Sequence, residues 1–231
     1  MSSFLLRVCL MMTAAGTLTY SRTFKPQTPI GEGITVYARI LHDNTTLDSE
    51  TSDSTEKINK MYKAFEKIFQ MVQQKFHNNN VMITINVTKT KDLKLSEVLV
   101  PLNGTHGAGL DGRKTLENLV TTQASKSGEN GIVYLFTKRS IYTQSLEDDN
   151  VPSWQPHLQT RDTFCTENTS AAVVYYTDQQ PEEYPFEATA LIFGSTRQSH
   201  FQKSDFTYMN NSFARCKESV DKQNTAEKNE E

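Results

Sequence analysis

Histidine and cysteine are scarce in this chain. Its 231 residues include five histidines, three cysteines and one tryptophan. The histidines, His42, His77, His106, His157 and His200, are scattered, and none stands four residues from another. The paired imidazoles of a helical metal site are therefore missing. An excess of positive charge is missing too: 24 Lys and Arg against 27 Asp and Glu leave a net charge of -3. With a pI near 6.0 there is no basic field to hold phosphate backbones, and nucleic acid is excluded from the expected partners. Beyond residue 21 no apolar run approaches the roughly eighteen residues that a membrane span needs, so no membrane partner is expected. There is no Gly-x-Ser-x-Gly, and the Gly-rich stretch 104–112, "GTHGAGLDG", lacks the Lys-Ser/Thr ending of a phosphate-binding loop. Ten Gly and seven Pro are too few for collagen-like or low-complexity chains.

The composition that is present, 36% hydrophobic and 22% charged, fits one globular domain with a sizeable core. Residues 1–21 combine Arg7, an apolar run from Val8 to Ala15 and small residues near Gly16 and Ser21, the pattern of a secretory signal peptide. The expected location is extracellular. Cys9 leaves with the signal, and in an oxidising compartment the remaining pair, Cys165 and Cys216, is expected to bond. A reactive thiol and an intermolecular bridge are the alternatives. Five sequons, at Asn44, Asn86, Asn103, Asn168 and Asn210, add the expectation of a glycosylated surface.

Along the chain, residues 33–43 alternate apolar and polar and read as a strand. After a polar loop at 44–54, Asp53 or Ser54 can cap a helix whose Ile58, Met61, Tyr62, Phe65, Ile68, Phe69, Val72 and Phe76 follow three- and four-residue spacing, ended by "HNNN" at 77–80. Residues 81–90 predict a second strand, and Asp111 caps a second helix to about Ser125. Residues 130–138 are continuously apolar, as a centre strand buried on both faces would be. A long connection containing Trp154 leads to another strand at 170–177. A helix at 183–193, a loop and a solvated, disordered tail at 218–231 complete the reading. The alternation of strand and helix predicts an α/β fold.

The stretch 186–200, "FEATALIFGSTRQSH", gives the functional reading. With "GIVYLFTKR", "TFCTENTSAAVVYY" and "DFTYMNNSFARCKES" in this order, residues 31–217 resemble the reprolysin-like (adamalysin-type) metzincin metalloproteases, in particular the secreted ones of tick saliva. The resemblance implies a single metzincin-like domain with a mixed, mostly parallel sheet and long helices. It also implies a bridge between Cys165 and Cys216, and Met209 in a tight Met-turn ahead of Phe213. The family's zinc motif is His-Glu-x-x-His-x-x-Gly-x-x-His. With Gly194 as the motif's glycine, Glu187 stands at the first His, Ala188 at the catalytic Glu, Leu191 at the second His and Arg197 at the third.

A carboxylate at Glu187 and an out-of-register His200 do not make a three-ligand zinc site, and Ala188 cannot take a proton from water. Ala188, Ala190, Leu191, Ile192 and Phe193 instead turn the motif helix into an apolar one expected to be buried. The resembled proteases are made with a pro-segment ahead of the domain and Cys-rich modules behind it; the expectation here is of a chain with neither. These readings give a secreted pseudo-protease without catalytic residues, metal or cofactor, a monomer whose partner is an unidentified extracellular protein of a host. An active zinc metalloendopeptidase is the first alternative. A secreted small-ligand carrier of the lipocalin kind, which would need about eight strands closed into a barrel, is the second.

Overall fold

The alternation in residues 33–43 does make a strand, β1 (Thr35–His42), with Val36, Ala38 and Ile40 buried on one face and Tyr37, Arg39 and Leu41 on the other. The computed structural model describes residues 28–43, 45–46, 55–89, 95–102, 109–123, 129–144 and 152–228. The signal at 1–21, the cap candidates Asp53 and Ser54, His106, and the sequon residues Asn44 and Asn103 lie outside the described residues. In chain order β1 is followed by α1 (Thr55–Asn78), β2 (Thr84–Lys89), a single 3-10 turn (Leu95–Glu97), β3 (Leu110–Asp111), α2 (Gly112–Gln123) and β4 (Gly131–Thr137). Then come β5 (Ile141–Gln144), β6 (Pro152–Gln155), β7 (His157–Gln159), β8 (Ser170–Tyr175), α3 (Glu183–Ile192) and α4 (Lys203–Lys228).

The fold is a single mixed α/β domain. Its main sheet has the order β2-β1-β4-β8-β7, parallel throughout except for the edge strand β7, which runs antiparallel to β8. Every residue of β4 is buried, as its unbroken apolar run requires of a centre strand. The sheet is open, with β2 and β7 as its edges, and a closed carrier barrel is not what these strands form.

One face of the sheet receives α1, α3 and α4. The stripe of α1 buries Tyr62, Phe65, Ile68, Phe69, Val72 and Phe76, with Phe65 4.9 Å from Phe136 and Phe69 4.8 Å from Tyr134 between ring centroids. At "HNNN" the Val81 N–H donates back to the Phe76 carbonyl at 3.0 Å while Asn80 takes a φ of 59°, the left-handed stop that Asn tolerates. The other face is covered over β4 and β8 by Val98 and by Leu119 of α2. Asp111 caps α2 as predicted, its Oδ1 accepting the Lys114 N–H at 3.1 Å.

Two segments differ from the sequence reading. The connection after β4 holds three short strands, β5, β6 and β7; β5 and β6 join β3 in a second, three-stranded sheet. Strands this short carry no alternation to read, and pairing alone defines them. The loop and tail after residue 202 are the long helix α4, which continues through residues 218–228 of the segment expected to be a disordered tail. Phe206, Met209, Phe213 and Cys216, three and four residues apart, form its buried stripe.

Candidate functional site

The helix expected at 183–193 is α3, and it is anchored at its start by charge. Glu182 and Glu183, at the positive end of the helix dipole, both pair with Lys75 of α1. Pro185 falls in the first turn, where its missing N–H costs nothing. One turn on, Phe186 packs against Phe76 at 4.7 Å, and the Thr189 hydroxyl shares a 2.7 Å hydrogen bond with the buried phenol of Tyr134. Burial pushes that phenol well above its ordinary range, so it remains a neutral donor and acceptor within the core.

Gly194 ends the helix for a physical reason. Its N–H donates to the Leu191 carbonyl at 3.1 Å, the Ser195 N–H reaches the Ala190 carbonyl at 3.0 Å, and Gly194 itself adopts a φ of 91°. This is the left-handed cap that glycine makes without strain. A Cβ here would also stand 3.0 Å from Asp162 Oδ1. Glycine at this position is thus required by the turn whether or not a metal lies beyond it.

The motif positions separate into two kinds. Ala188 and Leu191 are buried, Ala188 completely and Leu191 to 2% exposure, and Ala190 and Phe193 are buried with them as expected. Phe193 meets Phe164 at 4.8 Å and Phe213 at 5.1 Å. Glu187 and Arg197 are polar and each is taken up by a partner. Arg197 Nε lies 3.7 Å from Asp205 Oδ2. Glu187 Oε2 lies 3.2 Å from Nε2 of His157, which the sequence reading had set aside as one scattered histidine among several.

His157 is on the edge strand β7 with its side chain 2% exposed, and its Nδ1 is 2.7 Å from Gln159 Oε1. Gln198 Nε2 approaches His157 Nε2 at 3.5 Å. A residue thirty positions upstream thus closes on Glu187. No local spacing could have revealed it, because the pair forms only when β7 docks beside β8 and α3 packs across them. His200 is exposed and bonded to the Ser199 hydroxyl at 3.1 Å.

No family model matches the chain, and no curated protein matches it.

Past Gly194 the chain is organised by one carboxylate. Asp205 is the third residue of α4, and its Oδ2 accepts the Gln202 N–H at 2.8 Å, the reciprocal half of a capping box. Its Oδ1 accepts from the Thr196 N–H at 2.9 Å, the Thr196 hydroxyl at 2.7 Å and the Ser195 hydroxyl at 3.2 Å. Burial alone would raise its pKa, but these donors outweigh it and hold the carboxyl below the ordinary aspartate value.

Met209, expected in a tight turn, is instead inside α4 and fully buried, because the cap at Gln202 has already started the helix seven residues earlier. Its role is packing, beside Phe206 and Phe213. Cys165 and Cys216 form the intramolecular bridge expected of them, across a sequence separation of 51, and it ties α4 to the segment ahead of β8. Asn86, Asn168 and Asn210 are exposed.

Chemically, the arrangement offers hydrogen-bonded polar pairs and buried apolar surface. Among the described residues no group of three or more His, Cys, Asp or Glu is placed to hold a metal ion. Nor is any described helix long and apolar enough to cross a membrane.

Proposed function

We propose that the chain is a secreted, glycosylated and catalytically inactive metalloprotease-like protein of the reprolysin type, which acts by binding an extracellular host protein. The observation that carries this reading is the state of the motif positions: Ala188 and Leu191 lie in the core, and Glu187 and Arg197 are committed to His157 and Asp205. Peptide hydrolysis by zinc needs three protein ligands, an open fourth position and a base beside the metal-bound water. An alanine methyl at the base position cannot take that proton. The mostly parallel sheet, the long α1 and a short buried helix turning at Gly194 are also what a metzincin-like frame would require.

A domain that keeps such a frame without its chemistry retains a surface shaped by substrate recognition, and binding is what remains to it. The test uses the secreted full chain. Elemental analysis should find no stoichiometric zinc, casein should stay intact with or without chelator, and immobilised protein should retain a discrete component of host blood plasma. Stoichiometric zinc with chelator-sensitive casein cleavage would overturn the reading in favour of an active zinc metalloendopeptidase.

A further inference from the structure

Among the described residues, the second face of the main sheet is only partly covered. Val98 and α2 lie over β4 and β8, whereas the outer strands β1 and β2 present Tyr37, Thr84 and Asn86 to solvent. Tyr37 is 41% exposed, an aromatic ring standing open one strand in from the edge strand β2. Exposed aromatic surface of this kind is a site for unwanted association unless something covers it.

Asn86 is the in-register partner of Tyr37, so the two side chains leave the sheet on the same face, about 5 Å apart at their bases. On the other side of Tyr37 the partner is Gly131 of β4, which has no side chain to fill the space. Asn86 also begins the sequon Asn86-Val87-Thr88.

We propose that Asn86 carries an N-linked glycan whose first sugar ring lies on the ring of Tyr37 and covers the open part of this face. The proposal rests on the reading of the chain as exported. The apolar C–H face of a pyranose complements the electron-rich face of a phenol ring, and the glycan brings its own water-facing hydroxyls to the other side. In the transfer, Asn86 Nδ2 bonds to the anomeric carbon of a lipid-diphosphate-linked oligosaccharide. The bond from that carbon to the diphosphate breaks, the amide gives up one proton, and the lipid diphosphate leaves. In the folded sheet the Thr88 hydroxyl is engaged with the Ala38 carbonyl at 3.3 Å, so transfer precedes the docking of β2 on β1.

The test expresses the full chain in a secretory insect-cell system and maps the glycosylated asparagines by mass spectrometry. Hydroxyl-radical footprinting then compares Tyr37 in the parent, in Asn86→Gln, and in the folded parent trimmed to one sugar or fully deglycosylated. Tyr37 should be labelled several-fold more slowly in the parent and the one-sugar form than in Asn86→Gln or the fully stripped protein. Exposed Tyr208 should label equally in the parent and Asn86→Gln. If Asn86→Gln does not fold, the trimmed and stripped forms of the parent decide alone. Secreted protein glycosylated elsewhere but bare at Asn86, or equal labelling of Tyr37 with and without its sugar, overturns this proposal only. A chain retained in the cell with every sequon bare overturns the export reading, and this proposal with it.

Discussion

Placing a glutamate at Ala188, the position that the proposed reading aligns with the protease base, should damage the fold rather than create a function. The Ala188 side chain is wholly buried within the cluster that joins α3 to α1 and the sheet. Ala188→Glu adds four heavy atoms and a charge inside this apolar cluster. An uncompensated buried charge costs about 3–5 kcal/mol, against a net stability of about 5–15 kcal/mol for a typical domain. At about 2–4 °C per kcal/mol for a domain of this size, the thermal midpoint should fall by about 6–20 °C at neutral pH. The sign with pH is definite. Burial raises the folded pKa of the new glutamate above its unfolded value of about 4.3, so the folded state binds the proton first. The loss is then largest above the folded pKa and shrinks as pH falls toward 4, where only the steric part persists. Thermal melts of parent and variant across pH 4–8, with zinc and without, measure it. A variant as stable as the parent at pH 7, or one stabilised by zinc, would show an open cleft at this position and refute the reasoning.

Three further outcomes follow from the same contacts. His157→Ala leaves the Glu187 carboxylate without its partner and should cost about 1–3 kcal/mol; in a double-mutant cycle with Glu187→Gln, urea melts should give a non-zero coupling, and strict additivity would mean that the pair contributes nothing. Asp205→Asn should destabilise by a similar ~1–3 kcal/mol at neutral pH. Because the folded pKa of Asp205 is lowered, its contribution is present above the unfolded value of about 3.9 and lost as pH falls through the folded one; parent and variant should converge in strong acid, and a gap that widens there would contradict this. Reducing Cys165–Cys216, with its separation of 51 residues, should remove roughly 4 kcal/mol in the chain-entropy account, read as a lower urea midpoint in reductant; an unchanged midpoint would show that the bridge adds no stability.

The parts of the fold legible in the sequence were those whose burial has a period. The stripe from Met61 to Phe76 is long enough for three- and four-residue spacing to be unmistakable, and the apolar run of β4 marks a centre strand. The strands β5, β6 and β7 are four, four and three residues long and offered no such period. In α4 the residues beyond Cys216 are mostly charged and polar, so their composition reads as a solvated tail although the helix runs on to Lys228. Helical hydrogen bonding needs no apolar residue, and a pattern-based reading ends where the apolar residues thin out.

Of the candidate site, residue identities were legible and contacts were not. That no imidazole stands at 187, 191 or 197 can be read directly from the chain, but what each of these residues meets cannot. Glu187 reads as a solvent-facing carboxylate in the first turn of a helix, and His157 as one of several histidines scattered through loops and element ends. In the structure they meet at 3.2 Å with the imidazole buried. The same holds for Arg197, whose partner Asp205 is fixed less by that ion pair than by four hydrogen bonds from Ser195, Thr196 and Gln202. With such partners satisfied, introducing a metal ligand means breaking a network as well as adding a side chain. The fourfold change Glu187→His, Ala188→Glu, Leu191→His and Arg197→His would take the Glu187 carboxylate from His157 and the Arg197 guanidinium from Asp205, and place new polar atoms where Ala188 and Leu191 are buried. Its expected outcome is a destabilised protein that neither retains stoichiometric zinc nor cleaves casein, measured beside the parent and Leu191→His alone. Chelator-sensitive cleavage by the parent or by Leu191→His would mean that a working ligand set already exists, and the inactive reading would fall.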